Sequence, residues 1–329
     1  MSTHVEKTAI VKSLLDAIAG ETSIDATVIL SSTREANRGL EPADRIPVLV
    51  LGGRSLEALS LCHAALRTAD NKSRVGSLKP LISELRKILE RELLSPSDID
   101  LVSQSRRTHL LPRRSILIGR HSPDKRVDVA INCRWFSRGD RNLGLFFDAS
   151  QWFVEDLGST NGHCIDGRTL KVGRPIALPV GETRIDVGHS DKVIPLATIR
   201  LFRPPKDPGA VVVAVEGNST TDDGQCWPSL REDISRRWVV FREQIGVSAA
   251  KDCALSVEGQ EAGILAAVRY QSGFWIVPSS QKTVELDDIA FRESVPLFPG
   301  ASLHLCGTKL RVEHQIPLAE PVLSSVRSG

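Results

Sequence analysis

The spacing of apolar residues changes once along this chain, from a helical to a strand-like pattern. Over the first hundred residues, apolar side chains recur every three to four positions, as at Leu78, Ile82 and Leu85, which is the period of an amphipathic helix. From Ser115 onwards, short apolar runs alternate with Gly, Asp, Asn and Pro, residues that favour turns between strands. We therefore expect an N-terminal helical part followed by β-sheet.

Three helices are expected in the helical part. One covers the apolar positions of residues 10–18, a second begins near Ser55, which could cap it, and a third spans residues 77–94. Pro80 would lie in the first turn of the third helix, where proline is tolerated. The apolar run at residues 46–53 fits either a short buried strand or a loop.

The strand-like part contains one pattern twice. Residues 274–277, Phe-Trp-Ile-Val, resemble residues 151–154, Gln-Trp-Phe-Val. Farther along the chain, residues 295–307 resemble residues 176–188. Because each copy consists of several short strands at close spacing, we expect two β-sandwiches.

These patterns predict a multidomain α+β protein. The expected segments are a mainly helical domain at 1–100, a basic linker at 101–114, a β-sandwich at 115–203, a linker at 204–234, a second, degenerate β-sandwich at 235–316 and a tail at 317–329.

Composition and charge exclude several classes of function. The formal net charge is only +2 and 5% of residues are aromatic, so we expect no binding to nucleic acid. None of the six cysteines belongs to a C-x-x-C pair, and we expect reduced thiols, no metal site and no cofactor. The sequence shows no apolar stretch long enough to span a membrane and no apolar signal core. We therefore expect no membrane insertion and a cytoplasmic location.

Three short motifs mark the first β-sandwich. They are Ile118-Gly119-Arg120, Ser137-Arg138 and residues 152–162, which end in Asp156-Leu157-Gly158-Ser159-Thr160-Asn161-Gly162. In order and spacing these motifs resemble a forkhead-associated (FHA) domain, and the run from Asp156 to Gly162 is highly specific. The resemblance implies a β-sandwich whose loops bind phosphothreonine peptides. It also implies that the chain is not an enzyme.

The resemblance assigns the phosphate to residues from the first two motifs. Arg120 would hydrogen-bond the phosphate through its planar guanidinium, which suits phosphate oxygens better than lysine does. Ser137 would donate its hydroxyl, and Arg138 could add positive charge. Gly119 would allow a tight turn before Arg120.

The third motif would supply the rest of the peptide site. By resemblance, Thr160 contributes a hydroxyl or backbone donor, and Asn161 binds the peptide main chain beside the phosphothreonine. Ser159 belongs to the same peptide-binding loop, and Gly162 would permit the tight turn after it. The implied function is an adaptor in Ser/Thr kinase signalling, with a phosphothreonine-containing partner such as a kinase or its substrate.

Two departures from the family pattern favour an alternative. Asp140 stands where the family usually has a histidine that supports the loops, and Asp140 would repel phosphate unless it pairs with an arginine. In the second copy, Val247 is aligned with Arg120, and residues 279–282 replace the Ser-Thr-Asn-Gly run. The alternative is a scaffold whose FHA-like folds bind partners without phosphate.

A catalytic function finds little support. Gly52-Gly53-Arg54-Ser55 weakly resembles a phosphate-binding loop at the start of a helix. It lacks the spacing of both common glycine-rich nucleotide motifs.

Overall fold

The computed structural model describes residues 2–22, 42–68, 74–95, 98–120, 127–131, 141–187, 197–217, 235–257, 263–305 and 307–315. The chain forms two compact units. Unit 1 comprises Met1–Pro96 and Ser272–Phe298, and unit 2 comprises Ser97–Gln271 and Pro299–Gly329.

Unit 1 contains the helices, which confirms the expected helical N-terminal part. The described helices are α1 (Ser2–Thr22), α2 (Pro42–Leu51), α3 (Ser55–Thr68) and α4 (Arg74–Leu93). Their apolar stripes form a core in which Leu14, Leu59 and Ile82 are completely buried. Helix α4 begins three residues earlier than expected, so Pro80 lies in its second turn rather than its first.

The apolar run at residues 46–53 is neither a strand nor a loop, because it forms the end of α2. Its apolar positions Ile46, Leu49 and Val50 are buried at the spacing of one helix face. Gly53 ends the helix with a φ of 72°. Arg54 N donates to Leu49 O at 2.8 Å and Gly53 N donates to Val50 O at 3.1 Å, as in a Schellman motif. The glycine pair is thus accounted for as a helix stop.

The strands occur in two runs of eleven among the described residues, which we name repeat 1 and repeat 2. Repeat 1 consists of β1 (Ile99–Val102), β2 (Arg106–Pro112), β3 (Ser115–Gly119), β4 (Val129–Ala130), β5 (Leu143–Asp148), β6 (Gln151–Asp156), β7 (His163–Ile165), β8 (Arg168–Thr169), β9 (Ile176–Ala177), β10 (Gly181–Val187) and β11 (Ala197–Arg203). Repeat 2 consists of β12 (Ala210–Gly217), β13 (Ser235–Phe241), β14 (Gln244–Ser248), β15 (Leu255–Ser256), β16 (Ile264–Tyr270), β17 (Phe274–Pro278), β18 (Val284–Leu286), β19 (Ile289–Phe291), β20 (Val295–Pro296), β21 (Ser302–Leu305) and β22 (Thr308–His314). Strands β17 to β20 belong to unit 1 and the other strands to unit 2.

Repeat 1 folds as a β-sandwich, as expected. Within unit 2, the strands of one sheet have the order β21-β22-β1-β2-β13-β12-β11-β10-β7-β8, and those of a second sheet have the order β4-β3-β5-β6-β9. The core between them is one continuous apolar cluster that includes Trp152, Leu143 and Ile185. Trp152 is completely buried at its centre and contacts Phe147 edge to face, with ring centroids 5.4 Å apart.

Two segments expected to be linkers contain strands. Strand β2 lies inside the expected 101–114 linker, and its residues Leu110 and Leu111 are buried on opposite faces. Strand β12 lies inside the expected 204–234 linker. Its run Val211-Val212-Val213 is buried on both faces, which explains the absence of the polar alternation expected of a surface strand. The limits of the domains themselves stay a prediction.

The first strand of each repeat pairs with the last strand of the other repeat. Strand β12, the first of repeat 2, pairs with β11, the last of repeat 1. Strand β1, the first of repeat 1, pairs with β22, the last of repeat 2. Between them, β2 and β13 pair in parallel, with Arg106 opposite Ser235 and Pro112 opposite Phe241. Equivalent strands of the two repeats therefore meet side by side.

Candidate functional site

The strand register of repeat 1 brings two of the three motif segments to one edge of a sheet. Ile118 of β3 pairs with Leu143 of β5, and Leu143 pairs in turn with Asp156 of β6. The end of β3, the start of β5 and the end of β6 therefore lie side by side. Arg120 follows β3 directly and residues 157–162 follow β6, so both emerge at this edge.

Asn142 connects the end of β3 with the segment that follows β6. Its side chain lies so close to Gly119 that a Cβ on this glycine would be 2.1 Å from Asn142 Nδ2. The backbone oxygen of Asn142 accepts a hydrogen bond from Leu157 N at 2.7 Å. A glycine is thus required at residue 119 because the Asn142 side chain leaves no room for a Cβ, and not because the backbone has a positive φ. This reason differs from the tight turn expected from the sequence. The role of Asn142 had no signal in the sequence beyond its place before an apolar strand.

Asp156 holds the Gly158–Gly162 loop in one conformation. Its Oδ1 accepts hydrogen bonds from Gly158 N at 2.9 Å and from Ser159 N at 2.7 Å. Its Oδ2 accepts from the Ser159 hydroxyl at 2.7 Å and lies 2.9 Å from His163 Nδ1. Because Asp156 and His163 are each 1% exposed, this arrangement is an internal support of the loop.

The hydrogen bonds to Asp156 also determine its ionisation. Burial by itself would raise the pKa of this carboxyl, but the hydrogen bonds from His163 and Ser159 outweigh burial and lower the pKa to about 2. The carboxylate is therefore charged at neutral pH and has its oxygens occupied by donors inside the loop.

The structure places four of the six expected site residues at this edge. Arg120 and Asn161 are partly buried, and Thr160 is exposed. Ser159 is partly buried, and its hydroxyl is bound to Asp156. Ser137 and Arg138, together with Asp140, lie outside the described residues. Peptide binding by these residues stays a prediction.

Two glycines let the loop adopt its shape. Gly162 has a φ of 71° and Gly158 a φ of 94°, values that side chains disfavour. The expected role of Gly162 in a tight turn is thereby confirmed. Asp156 and His163 were given no role from the sequence, although an Asp two residues before a Gly is a recognisable turn former.

Repeat 2 lacks this support. Trp275 pairs with Pro296 as Phe153 pairs with Ala177, so the equivalent of Trp152 is the completely buried Phe274 and not Trp275. By the same register, Pro278 replaces Asp156. The hairpin that follows places Val284 at the position of His163.

The counterpart of Arg120 also differs from the sequence alignment. Val247 pairs with Leu255 in the way that Ile118 pairs with Val129, and both Val247 and Ile118 are buried. Val247 therefore corresponds to Ile118, and Ala249 takes the position of Arg120. Neither alignment gives repeat 2 a cation at this position.

The described residues contain no group of three or more His, Cys, Asp and Glu side chains placed to hold a metal ion. Within the same part of the chain, no helix is long and apolar enough to cross a membrane.

The chain is similar to several solved structures and to one sequence family. No curated protein matches the chain. Among solved structures, it is similar to Mycobacterium tuberculosis Rv1747 FHA-1, with 23% identity over 30% of this chain and 90% of that chain and a TM-score of 0.21. It is also similar to Mycobacterium tuberculosis EmbR in complex with a low affinity phosphopeptide, with 14% identity over 56% of this chain and 50% of that chain and a TM-score of 0.21.

A third solved structure is the N-terminal FHA domain from EssC, a component of the bacterial Type VII secretion apparatus. It is 12% identical over 67% of this chain and 98% of that chain, with a TM-score of 0.19. The sequence family described as FHA domain matches residues 116–188, which span β3 to β10 and include both motif loops described above. The chain therefore contains an FHA domain at residues 116–188.

Proposed function

We propose that this FHA domain binds phosphothreonine peptides and that the chain is an adaptor or scaffold in Ser/Thr kinase signalling. The observation that carries the proposal is the meeting of Arg120 with the Asp156-supported loop at one edge of repeat 1. Ser137 and Arg138, which follow β4 in the chain, complete the proposed phosphate site.

The chemistry of these groups suits a phosphorylated threonine. Its phosphate carries about −1.5 to −2 charge and three strong acceptor oxygens. Arg120 supplies a guanidinium, and the exposed residue Thr160 supplies a hydroxyl group. The Asn161 amide can both donate to and accept from a peptide main chain. Because Asp156 and His163 fix the loop in advance, little of the binding energy is lost in ordering it.

The partner would be a phosphothreonine-containing protein such as a Ser/Thr kinase or its substrate. Repeat 2 has neither the cation nor the loop support, and we assign it a structural or protein-contact role. The same absence favours the alternative of a scaffold that binds partners without phosphate, which the following experiment separates from phosphopeptide binding.

The test is a titration of the full-length protein with a degenerate phosphothreonine peptide library and its unphosphorylated counterpart. Arg120→Ala should weaken phosphopeptide binding at least about tenfold, because a charge-assisted hydrogen bond is worth about 1.5 to 3 kcal/mol. Arg200→Ala is the matched control, since Arg200 is an exposed arginine on β11, in the other sheet, that pairs with Glu182 at 3.1 Å.

Phosphate-dependent binding that is lost in Arg120→Ala and kept in Arg200→Ala would establish the proposed function. Partner binding that ignores both the phosphate and Arg120 would establish the scaffold alternative instead.

A further inference from the structure

Unit 2 contains a cavity of about 740 Å³ that is separate from the residues of the proposed peptide site. Its walls come from the β1–β2 turn, from β13 to β16 and from the β21–β22 hairpin. Among the described residues, the lining includes four cationic side chains and no Asp or Glu. The four cations are Arg106, Arg237, Lys309 and Arg311.

Arg237 is the cation of this cavity whose position is held by hydrogen bonds to uncharged acceptors. Its Nε donates to Thr108 Oγ1 at 2.9 Å, and its two terminal nitrogens donate to Ser256 Oγ and Ser256 O, each at 3.4 Å. All three acceptors are uncharged. A guanidinium has five N–H donors, so among the described residues Arg237 retains donor capacity and has no carboxylate partner.

The neighbouring carboxylates are on the opposite face of the ladder. Arg107, next in sequence to Arg106, pairs with Asp100 at 2.9 Å and with Glu313 at 3.0 Å. Side chains alternate along a strand, and Arg237 pairs in register with Thr108 rather than with Arg107. The sheet therefore separates a charge-balanced face from a face on which the described residues offer Arg106 and Arg237 no carboxylate partner. Arg311, two residues before Glu313 on β22, pairs with Glu313 and belongs to the charge-balanced face.

The described residues around Arg237 do not compensate its positive charge with a carboxylate. Burial and the nearby Arg106 together lower the pKa of Arg237 to about 10. The group is still charged at neutral pH, and a partly buried charge of this kind is costly unless an opposite charge reaches it.

The rest of the lining is largely apolar. Val247, Leu255 and Leu303 line the cavity and are themselves buried side chains of repeat 2. A few convergent polar groups in a mostly apolar cavity of a few hundred Å³ are typical of small-molecule sites.

We propose that this cavity binds a small molecule that joins an oxyanion, phosphate or carboxylate, to an apolar body. Arg237 and Arg106 bind the oxyanion, and the Ser256 hydroxyl, which accepts from Arg237, can donate to the same anion. The apolar body lies against the apolar lining residues that keep some accessible surface, Leu255, Val257 and Leu310. This site is distinct from the phosphopeptide site at Arg120 and does not depend on it.

The test uses the full chain carrying Arg120→Ala, so that the peptide site does not compete for anions. The probes are phenyl phosphate, benzoate, inorganic phosphate and benzyl alcohol at matched ionic strength, titrated by calorimetry with the thermal midpoint as second readout. We expect saturable one-to-one binding of phenyl phosphate or benzoate, at least about tenfold tighter than inorganic phosphate or benzyl alcohol. The tighter of the first two identifies the oxyanion.

Variants assign the binding to the cavity. Arg237→Gln and Arg106→Gln should each weaken binding about tenfold or more, and Arg200→Gln, an exposed arginine outside the cavity, should not. If Arg237→Gln does not fold, Arg106→Gln decides, because it leaves the three hydrogen bonds of Arg237 in place. Unchanged binding in the decisive variants, no saturable binding, or equal affinity for phenyl phosphate and inorganic phosphate would overturn the proposal.

Discussion

At the scale of single residues, two hairpin turns of repeat 1 place different side chains in the same backbone conformation. Ala149 and Ser150 have φ values of 43° and 66°, and Asp166 and Gly167 have 47° and 78°. Both pairs form two-residue turns in which both φ angles are positive, a conformation that strongly prefers glycine at its second position. Ser150 therefore carries conformational strain that Gly167 avoids.

Placing glycine at residue 150 and removing it from residue 167 should change the free energy of unfolding in opposite directions. Ser150→Gly should raise the free energy of unfolding by about 1 kcal/mol, because an L-residue in the left-handed region costs about 1 to 2 kcal/mol. Gly167→Ala should lower it by a similar amount, and a Cβ there meets nothing within 4 Å, so a steric clash does not contribute. Urea unfolding of both variants measures the shifts. A loss of stability in Ser150→Gly would contradict this account of the turn.

The residues that could be predicted from the sequence are those whose role is local. Arg120 stands in one short motif and Thr160 and Asn161 stand in another, and these motifs are sufficient to place the three residues on loops. Asn142 could not be found in this way, because its contact with Gly119 depends on the register of β3 against β5. Interactions across strands have no fixed sequence spacing.

At the scale of elements, helix α3 carries a buried histidine. His63 packs edge to face with Phe291, with ring centroids 6.3 Å apart, and its Nε2 lies 3.8 Å from Glu90 Oε1. Burial lowers the pKa of His63 to about 4, with Glu293 opposing the shift. The folded state therefore holds His63 neutral over a pH range in which an unfolded chain would protonate it.

This difference predicts a pH-dependent stability of unit 1. Between about pH 6.5 and 4 the unfolded chain binds a proton at His63 that the folded chain does not, so stability should fall as pH is lowered through this range, by up to about 3 kcal/mol. Above about pH 6.5 the full stability should be present. Thermal unfolding at a series of pH values measures the effect.

The control for this pH dependence is His63→Gln, which removes the titrating group from α3. Burial also raises the pKa of Glu90. The folded chain therefore binds a proton at Glu90 more readily than the unfolded chain, so this group adds stability as pH falls and offsets part of the effect of His63. The difference between the two proteins, and not the absolute profile, is therefore decisive. Parallel profiles from pH 7 to 4 would show that His63 is not responsible.

Elements were predictable where their pattern was amphipathic and long. Helix α4 and the strands around Trp152 followed from apolar spacing, whereas β2 begins with two arginines and was assigned to a basic linker. Strand β12 is buried on both faces and lacks the alternation that identifies a surface strand. Other elements of the fold cover both faces of this strand, so its burial cannot be predicted from the sequence of the segment alone.

At the scale of the whole molecule, repeat 1 does not complete its own core. Val211 and Val213 of β12 and Trp238 and Val240 of β13 belong to the same apolar cluster as Trp152. Each of these four side chains is buried and contributes about 1.5 to 3 kcal/mol. Their sum is comparable with the whole stability of an ordinary domain, about 5 to 15 kcal/mol.

An excised FHA segment should therefore fail to fold unless these strands accompany it. We expect residues 105–205 to show no cooperative unfolding transition by circular dichroism, and residues 105–245, which include β12 and β13, to show one. Equal cooperativity and equal midpoints of the two fragments would mean that the four side chains contribute little.

The exchange of first strands between the repeats has a consequence for stoichiometry. A single repeat could form this arrangement only with an identical copy of itself, and a homodimer of that kind would carry two phosphate sites or none. In this chain the two partners are covalently joined and differ in sequence, so one keeps Arg120 and Asp156 while the other has Ala249 and Pro278. On the proposed function, we therefore expect each chain to bind one phosphothreonine peptide, with no avidity from a second identical site.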